Sequence, residues 1–309
     1  MDDYEDLEDY EAIYEVPLAK RAGSIDLSKK YNQYFLTPDG YLPTTETNSA
    51  LPPGAYIVQW DEHRRNVYFK RNVLTCDNLI QFPNSLSLQI KNEINEFWSK
   101  KSDFAKAGLV HKRGFLLYGT PGTGKTATIN LVAKDTVEAG GIVLIPRVGI
   151  NGLISSLSKF REVEPERNVV IVFEDIDKII KADQKEGELL QLLDGACQVG
   201  GVVFLATTNQ PEILDPSFVN RPSRFDWIVK IPLPDENARR MYLGSFKILT
   251  PEDIDVWVKE TEDLTVAHIK ELFTSVVMFG HGFKNTLERL REMKVVPKQD
   301  GIKRIGINV

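Results

Sequence analysis

Eight consecutive residues, Gly119-Thr120-Pro121-Gly122-Thr123-Gly124-Lys125-Thr126, fit the pattern GxxxxGK[ST]. Glycines at such spacing let successive backbone N–H groups turn inward around phosphate oxygens, and a helix starting at the lysine adds the positive end of its dipole. Lys125 supplies a charge able to reach β and γ phosphates, and the Thr126 hydroxyl is an oxygen of the kind that coordinates magnesium. Further along, Glu174-Asp175-Ile176-Asp177 follows an unbroken apolar run. One carboxylate of that pair is suited to hold a metal and its neighbour to polarise an attacking water as a general base, so Glu174 and Asp175 are both metal and catalytic candidates. Asn209 ends another apolar run and offers an amide to position the water. Arg221 and Arg224, spaced by Pro222 and Ser223, present two guanidinium groups of the sort that reach a phosphate held by a neighbouring chain.

These side chains need a scaffold that gathers strand ends. Phe115–Tyr118, Val169–Phe173 and Val202–Ala206 are short, nearly continuous apolar runs, as strands buried on both faces of a parallel sheet are, and helical segments lie between them. The glycine loop and the acid pair follow directly on two of these runs and Asn209 closes the stretch after the third, at the carboxyl edge where open α/β sheets bind ligands, with the arginine pair further on. Residues 86–100 carry Leu88, Ile90, Ile94, Phe97 and Trp98 at helical spacing, an amphipathic helix leading into the first core strand. After Pro234 the pattern is helical, over 235–246, 251–260, 265–279 and 284–293.

Upstream, 56–60 and 66–70 are rich in β-branched and aromatic residues around a charged stretch, which reads as a β-hairpin. Residues 36–54, rich in Thr, Pro, Gly and Asn, read as an irregular connection. Met1 to Glu15 holds acidic residues and no basic ones, a composition that favours a solvated tail, although Tyr4, Leu7, Tyr10 and Tyr14 fall at helical spacing and could dock on a partner.

With 309 residues the chain has room for a large α/β domain and smaller ones. A formal net charge of −6 gives no general attraction to phosphate backbones. Cys76 and Cys197 stand apart and belong to no metal-binding or disulfide pattern, and His63, His111, His268 and His281 show no metal spacing. His268 neighbours Ala267 and is placed to approach the ligand. No apolar run approaches the about 20 residues that span a bilayer, and the amino terminus is acidic where a signal peptide is basic, so a cytoplasmic protein without a membrane segment is expected.

In this order the motifs resemble the AAA+ superfamily, specifically the AAA clade of FtsH, katanin and the proteasomal ATPases, from about Leu79 to Lys294. Leu205–Pro234 resembles that clade's second region of homology. The resemblance implies a P-loop NTPase with a parallel sheet flanked by helices, a small C-terminal helical domain and a small N-terminal β-containing region. The expected divisions are 1–50 (acidic, partly disordered), 51–78 (hairpin that selects a partner or substrate), 79–234 (ATPase domain), 235–295 (helical lid) and 296–309 (basic tail). Carried over by motif, Asn209 resembles sensor 1, Arg221 and Arg224 the paired arginine fingers, and Ala267 the residue that replaces the sensor 2 arginine beside the nucleotide. The implied cofactors are ATP or ADP with Mg²⁺, and the implied assembly is a homo-oligomeric ring, most often a hexamer, acting on a protein partner.

Two departures from the clade stand out. The acid pair is Glu174-Asp175 where Asp-Glu is usual, an inversion also found in the Bcs-type branch, which the run Arg113–Gly119 resembles too. The stretch Ile145–Gly152, where threading members carry an aromatic, has none. The leading expectation is a ring ATPase that remodels, assembles or translocates a protein. The alternatives are a nucleic-acid-associated ATPase using basic residues of Lys284–Val309, and a nucleotide-gated scaffold with little turnover.

Overall fold

The computed structural model describes residues 32–37, 40–44, 48–61, 66–73, 80, 86–183, 186–194, 200–214 and 224–293. Among them lies a nine-stranded, mostly parallel sheet. Its centre is made of β5 (Lys112–Tyr118), β6 (Ile142–Pro146), β7 (Val169–Phe173), β8 (Val202–Thr208) and β9 (Trp227–Lys230), in the spatial order β6-β7-β8-β5-β9 and all parallel. Every residue of β7 and β8 is buried, because helices cover both faces. Alternation assigns the side chains. Ile171, Phe173, Phe204 and Ala206 face α4 (Ile150–Val163) and α6 (Glu186–Leu193). Val170, Val172, Val203 and Leu205 face α1 (Leu86–Ser99) and α3 (Lys125–Glu138). α5 (Ile176–Asp183) follows β7, and the short α2 (Lys101–Lys106) follows α1.

The hairpin expected near 56–70 is present as β3 (Gly54–Asp61) and β4 (Asn66–Asn72), but it is built into the core sheet. β3 pairs in parallel with β6 from Gly54↔Ile142 to Val58↔Pro146. The reading of 36–54 as irregular is overturned: β1 (Gln33–Thr37) and β2 (Gly40–Thr44) continue the sheet beyond β4. Pro43 is tolerated because β4 pairs only with Gly40 and Tyr41, so its missing N–H falls past the end of that ladder. Leu51 fixes the extension to the core: its N–H donates to Glu164 Oε1 at 2.9 Å and its carbonyl accepts from Arg167 at 3.1 Å. The acidic segment with its stripe of Tyr4, Leu7, Tyr10 and Tyr14 and the tail at 296–309 lie outside the described residues.

Downstream, α7 (Glu236–Gly244), α8 (Pro251–Glu260), α9 (Val266–Phe273) and α10 (Phe283–Met293) form a helical unit with its own core around Leu243, Trp257, Leu272 and Leu290. Its caps are written in the sequence. Asp235 accepts from Ala238 N–H, Thr250 and Asp253 cap each other's backbone around Pro251, and Thr265 accepts from His268 N–H. The helix expected to run through 279 passes at Phe273 into a π turn over Thr274–Met278. Among the described residues no helix is long and apolar enough to cross a membrane.

Candidate functional site

β5 delivers the chain to Gly119 at the carboxyl edge of the sheet, and α3 leaves from Lys125, so the glycine-rich octet forms the turn between them. Gly119, Gly122 and Gly124 have φ of 151°, 83° and 104°, values an L side chain resists. At Gly122 space demands glycine as well: a Cβ there would lie 2.8 Å from the Ala267 methyl and 2.8 Å from Thr265 Oγ1. The Lys125 ammonium donates to the carbonyls of Gly119 (2.7 Å) and Thr120 (3.1 Å), and Thr123 donates to Thr120 O. Lys125 is buried, and that burial lowers its pKa, with the Asp175 carboxylate pulling the other way. The turn is therefore held by its own side chains, with the α3 amino terminus opening onto the cleft.

The acidic side is equally constrained. Asp175 sits at φ 49°, a left-handed conformation uncommon outside glycine, and its N–H donates to Thr207 Oγ1 at 3.1 Å. Its carboxylate is held on both oxygens, by Asn209 Nδ2 at 3.2 Å and Lys178 Nζ at 2.6 Å. Two positions further, buried Asp177 accepts from Thr208 Oγ1 at 2.8 Å, which fastens the β7–α5 elbow to the end of β8. Glu174 is exposed beside it.

The loop and the acidic elbow face one cleft of about 420 Å³. Pro121, Gly122, Gly124, Lys125 and Thr126 line it together with Glu174, Asp175, Asn209 and Ala267, so these predicted residues converge. Gly119, Thr120 and Thr123 support the loop from behind. The helical unit forms the remaining wall, and Ala267 N–H donates to Gly122 O at 3.2 Å. Thr126, Glu174 and Asp175 suit a hard divalent cation that also takes phosphate and water oxygens. No cluster of three or more His, Cys, Asp or Glu residues exists among the described residues to hold a metal unaided.

Arg224 is placed elsewhere. It is buried, and its guanidinium is bidentate to Asp194 at 2.9 and 3.0 Å, while its carbonyl lies where a Cβ on Gly114 would be. Arg221 lies outside the described residues. The His268 ring is 2.6 Å from Thr265 Oγ1 and belongs to the α9 cap. The sequence reading missed Thr207, Tyr242, Val266 and Lys270, which also line the cleft. Lys270 was findable, since it follows Ala267 by three residues on one helix face. Tyr242 carried no local signal.

Residues 115–233 match the family described as ATPase family associated with various cellular activities (AAA). Proteasome-activating nucleotidase of Methanococcus vannielii is 34% identical over 199 residues, covering 57% of this chain and 48% of its own length. That of Methanocaldococcus jannaschii is 31% identical over 223 residues, covering 62% and 52%. The 26S proteasome regulatory subunit S10B homolog B of Arabidopsis thaliana is 29% identical over 198 residues, covering 57% and 49%. The chain spans about half the length of the curated relatives it matches.

Proposed function

From a chain that carries an AAA ATPase domain, we propose an enzyme that binds ATP with Mg²⁺ in this cleft, hydrolyses it within a ring of identical subunits, and uses the energy to remodel or assemble a protein partner. The observation that carries this reading is the convergence of Lys125, Thr126, the Asp175–Asn209 pair and the lid residue Ala267 on one cleft.

The nucleotide's phosphates take the N–H groups of 119–126, and the Lys125 ammonium exchanges its two loop carbonyls for phosphate oxygens. Thr126 and Glu174 are the residues to hold magnesium, which when bound offsets charge on the β and γ oxygens. Asn209 fixes Asp175 so that its carboxylate faces a water placed for in-line attack. Water oxygen bonds to the γ phosphorus, the bond to the β–γ bridging oxygen breaks, and the water's proton passes to Asp175. Arg221 of a neighbouring subunit completes the charge balance, while Arg224, clamped by Asp194, anchors the segment that carries it. Relatives named as a proteasome-activating nucleotidase and a proteasome regulatory subunit support a protein as the target. The loop 147–149 after β6 carries no aromatic ring, and Arg147 N–H is tied to Val58 O, which favours remodelling over a threading grip.

ATP binding and phosphate release by the wild type, Lys125→Ala and Asp175→Asn test this reading. Wild-type turnover, loss of binding in Lys125→Ala, and binding without turnover in Asp175→Asn are expected. A wild type that releases no phosphate at any subunit concentration, or an Asp175→Asn protein that turns over normally, overturns it.

A further inference from the structure

Asp175 has one methylene fewer than the glutamate beside it, so the backbone places its carboxylate and little side-chain reach remains to correct an error. That backbone is left-handed at φ 49°, and among the described residues only Asp175 and Lys247 have positive φ without being glycine. A residue stays in such a conformation when its surroundings over-determine it. Asp175 is held at three points: Asn209 Nδ2 donates to Oδ1, Lys178 Nζ donates to Oδ2, and the Asp175 N–H donates to Thr207 Oγ1 at 3.1 Å.

Of these three contacts, the one with Thr207 acts on the backbone. The ladder between β7 and β8 ends at Phe173↔Ala206, and just beyond it the threonine hydroxyl receives the Asp175 N–H. Alternation along β8 puts Thr207 on the face of Val203 and Leu205, toward α3 and the glycine loop, where it is buried and lines the cleft. Thr208, on the opposite face, holds Asp177 and fastens the elbow, so the two threonines have separate tasks. The Lys178 ammonium is exposed, and an exposed ion pair restrains its partner weakly. Without the Thr207 oxygen, the Asp175 N–H loses its partner and the backbone is free to leave the left-handed region.

We infer that Thr207 is a positioning residue for hydrolysis: its hydroxyl fixes the backbone of Asp175 and, through it, the carboxylate that takes the proton of the attacking water. This rests on the reading of Asp175 as the general base. Thr207 acts through that residue and holds neither phosphate nor metal.

The test compares steady-state phosphate release and calorimetric ATP titration for the assembled full chain as wild type, Asp175→Asn, Thr207→Val, Thr207→Ala and Thr207→Ser. The valine keeps the volume without the oxygen, the alanine removes the oxygen without adding a contact, and the serine keeps the hydroxyl. Loss of one neutral hydrogen bond that orients a reacting group corresponds to about a three- to tenfold change in rate. Thr207→Val and Thr207→Ala are each expected to lower kcat by about that factor while ATP affinity stays within about twofold of wild type, and Thr207→Ser to restore most of the loss. A merely structural role would weaken ATP binding along with kcat, and that pattern overturns the inference. A serine variant as slow as the alanine variant overturns it too, because the hydroxyl would then not be the active feature. Wild-type kcat in both Thr207→Val and Thr207→Ala, with Asp175→Asn inactive, overturns it while Asp175 keeps its role. A wild type that releases no phosphate, or an Asp175→Asn protein that turns over normally, removes both readings.

Discussion

Substituting Gly122 by alanine tests how the lid is coupled to the phosphate-binding turn. The new Cβ would sit 2.8 Å from Ala267 Cβ and 2.8 Å from Thr265 Oγ1, against about 3.5–4.0 Å for a relaxed carbon contact, so the lid must retreat by about 1 Å or the turn must deform. The φ of 83° adds left-handed strain of about 1–2 kcal/mol for any L side chain. Overpacking adds about 1–3 kcal/mol if the lid stays, and retreat instead forfeits the Ala267 N–H bond to Gly122 O, worth about 0.5–1.5 kcal/mol. Stability is therefore expected to fall by about 2–4 kcal/mol and ATP affinity by at least about tenfold, read by denaturant unfolding and calorimetric titration. Ala267→Gly in the same chain removes one of the two clashes but not the strain, so the double variant is expected to recover affinity and only part of the stability. Wild-type affinity in Gly122→Ala, or effects of the two substitutions that add within about 0.5 kcal/mol, would refute the coupling.

Arg224→Ala is expected to destabilise an isolated subunit by about 1–3 kcal/mol, because it removes the bidentate guanidinium from the half-buried Asp194 carboxylate. The low end is favoured, since Asp194 is partly open to solvent, and unchanged denaturant unfolding with activity lost only in the assembled protein would instead make Arg224 a group acting on a neighbour. His111 is packed among Phe97, Trp98 and Phe104 and bonded to Phe97 O at 2.8 Å. Burial lowers its pKa against that bond's opposing pull, and the charges of Lys101 and Arg161 lower it further. The unfolded chain then takes up a proton below about 6.5 that the fold refuses, so stability from this group is intact above that pH and lost as pH falls toward the lowered folded value. His111→Phe is expected to flatten the unfolding free energy against pH in that window, by up to about 1.4 kcal/mol per unit, and parallel profiles for the two proteins would contradict the assignment.

What the sequence disclosed follows from what its signals encode. Glycines with a lysine between a strand and a helix, and carboxylates after an apolar run, are local patterns, and Lys125, Asp175 and Asn209 meet in the cleft as read. The strands β7 and β8 were legible because burial on both faces leaves unbroken apolar runs. β1 and β2 were not, because their strand character comes from pairing with β4 and from Leu51 caught by Glu164 and Arg167, more than 110 residues away in sequence. The Arg224 partner was not legible: Asp194, 30 residues away in sequence, holds the guanidinium within the subunit, and no local pattern announces that pair. Tyr242 reaches the cleft only through the docking of the helical unit, which no local pattern at that residue announces.

The proposed function requires two subunits for ATP hydrolysis, one giving the loop and acids and the other giving Arg221. Its most direct test is phosphate release from Lys125→Ala and Arg221→Ala proteins, each alone and mixed in equal amounts at a concentration where the wild type is assembled. Each variant alone is expected to be inactive, and the mixture to regain a substantial fraction of wild-type turnover, because an intact loop then meets an intact arginine across an interface. A mixture as inactive as its components, with mixed assemblies demonstrated, or an Arg221→Ala protein active alone, would contradict the account.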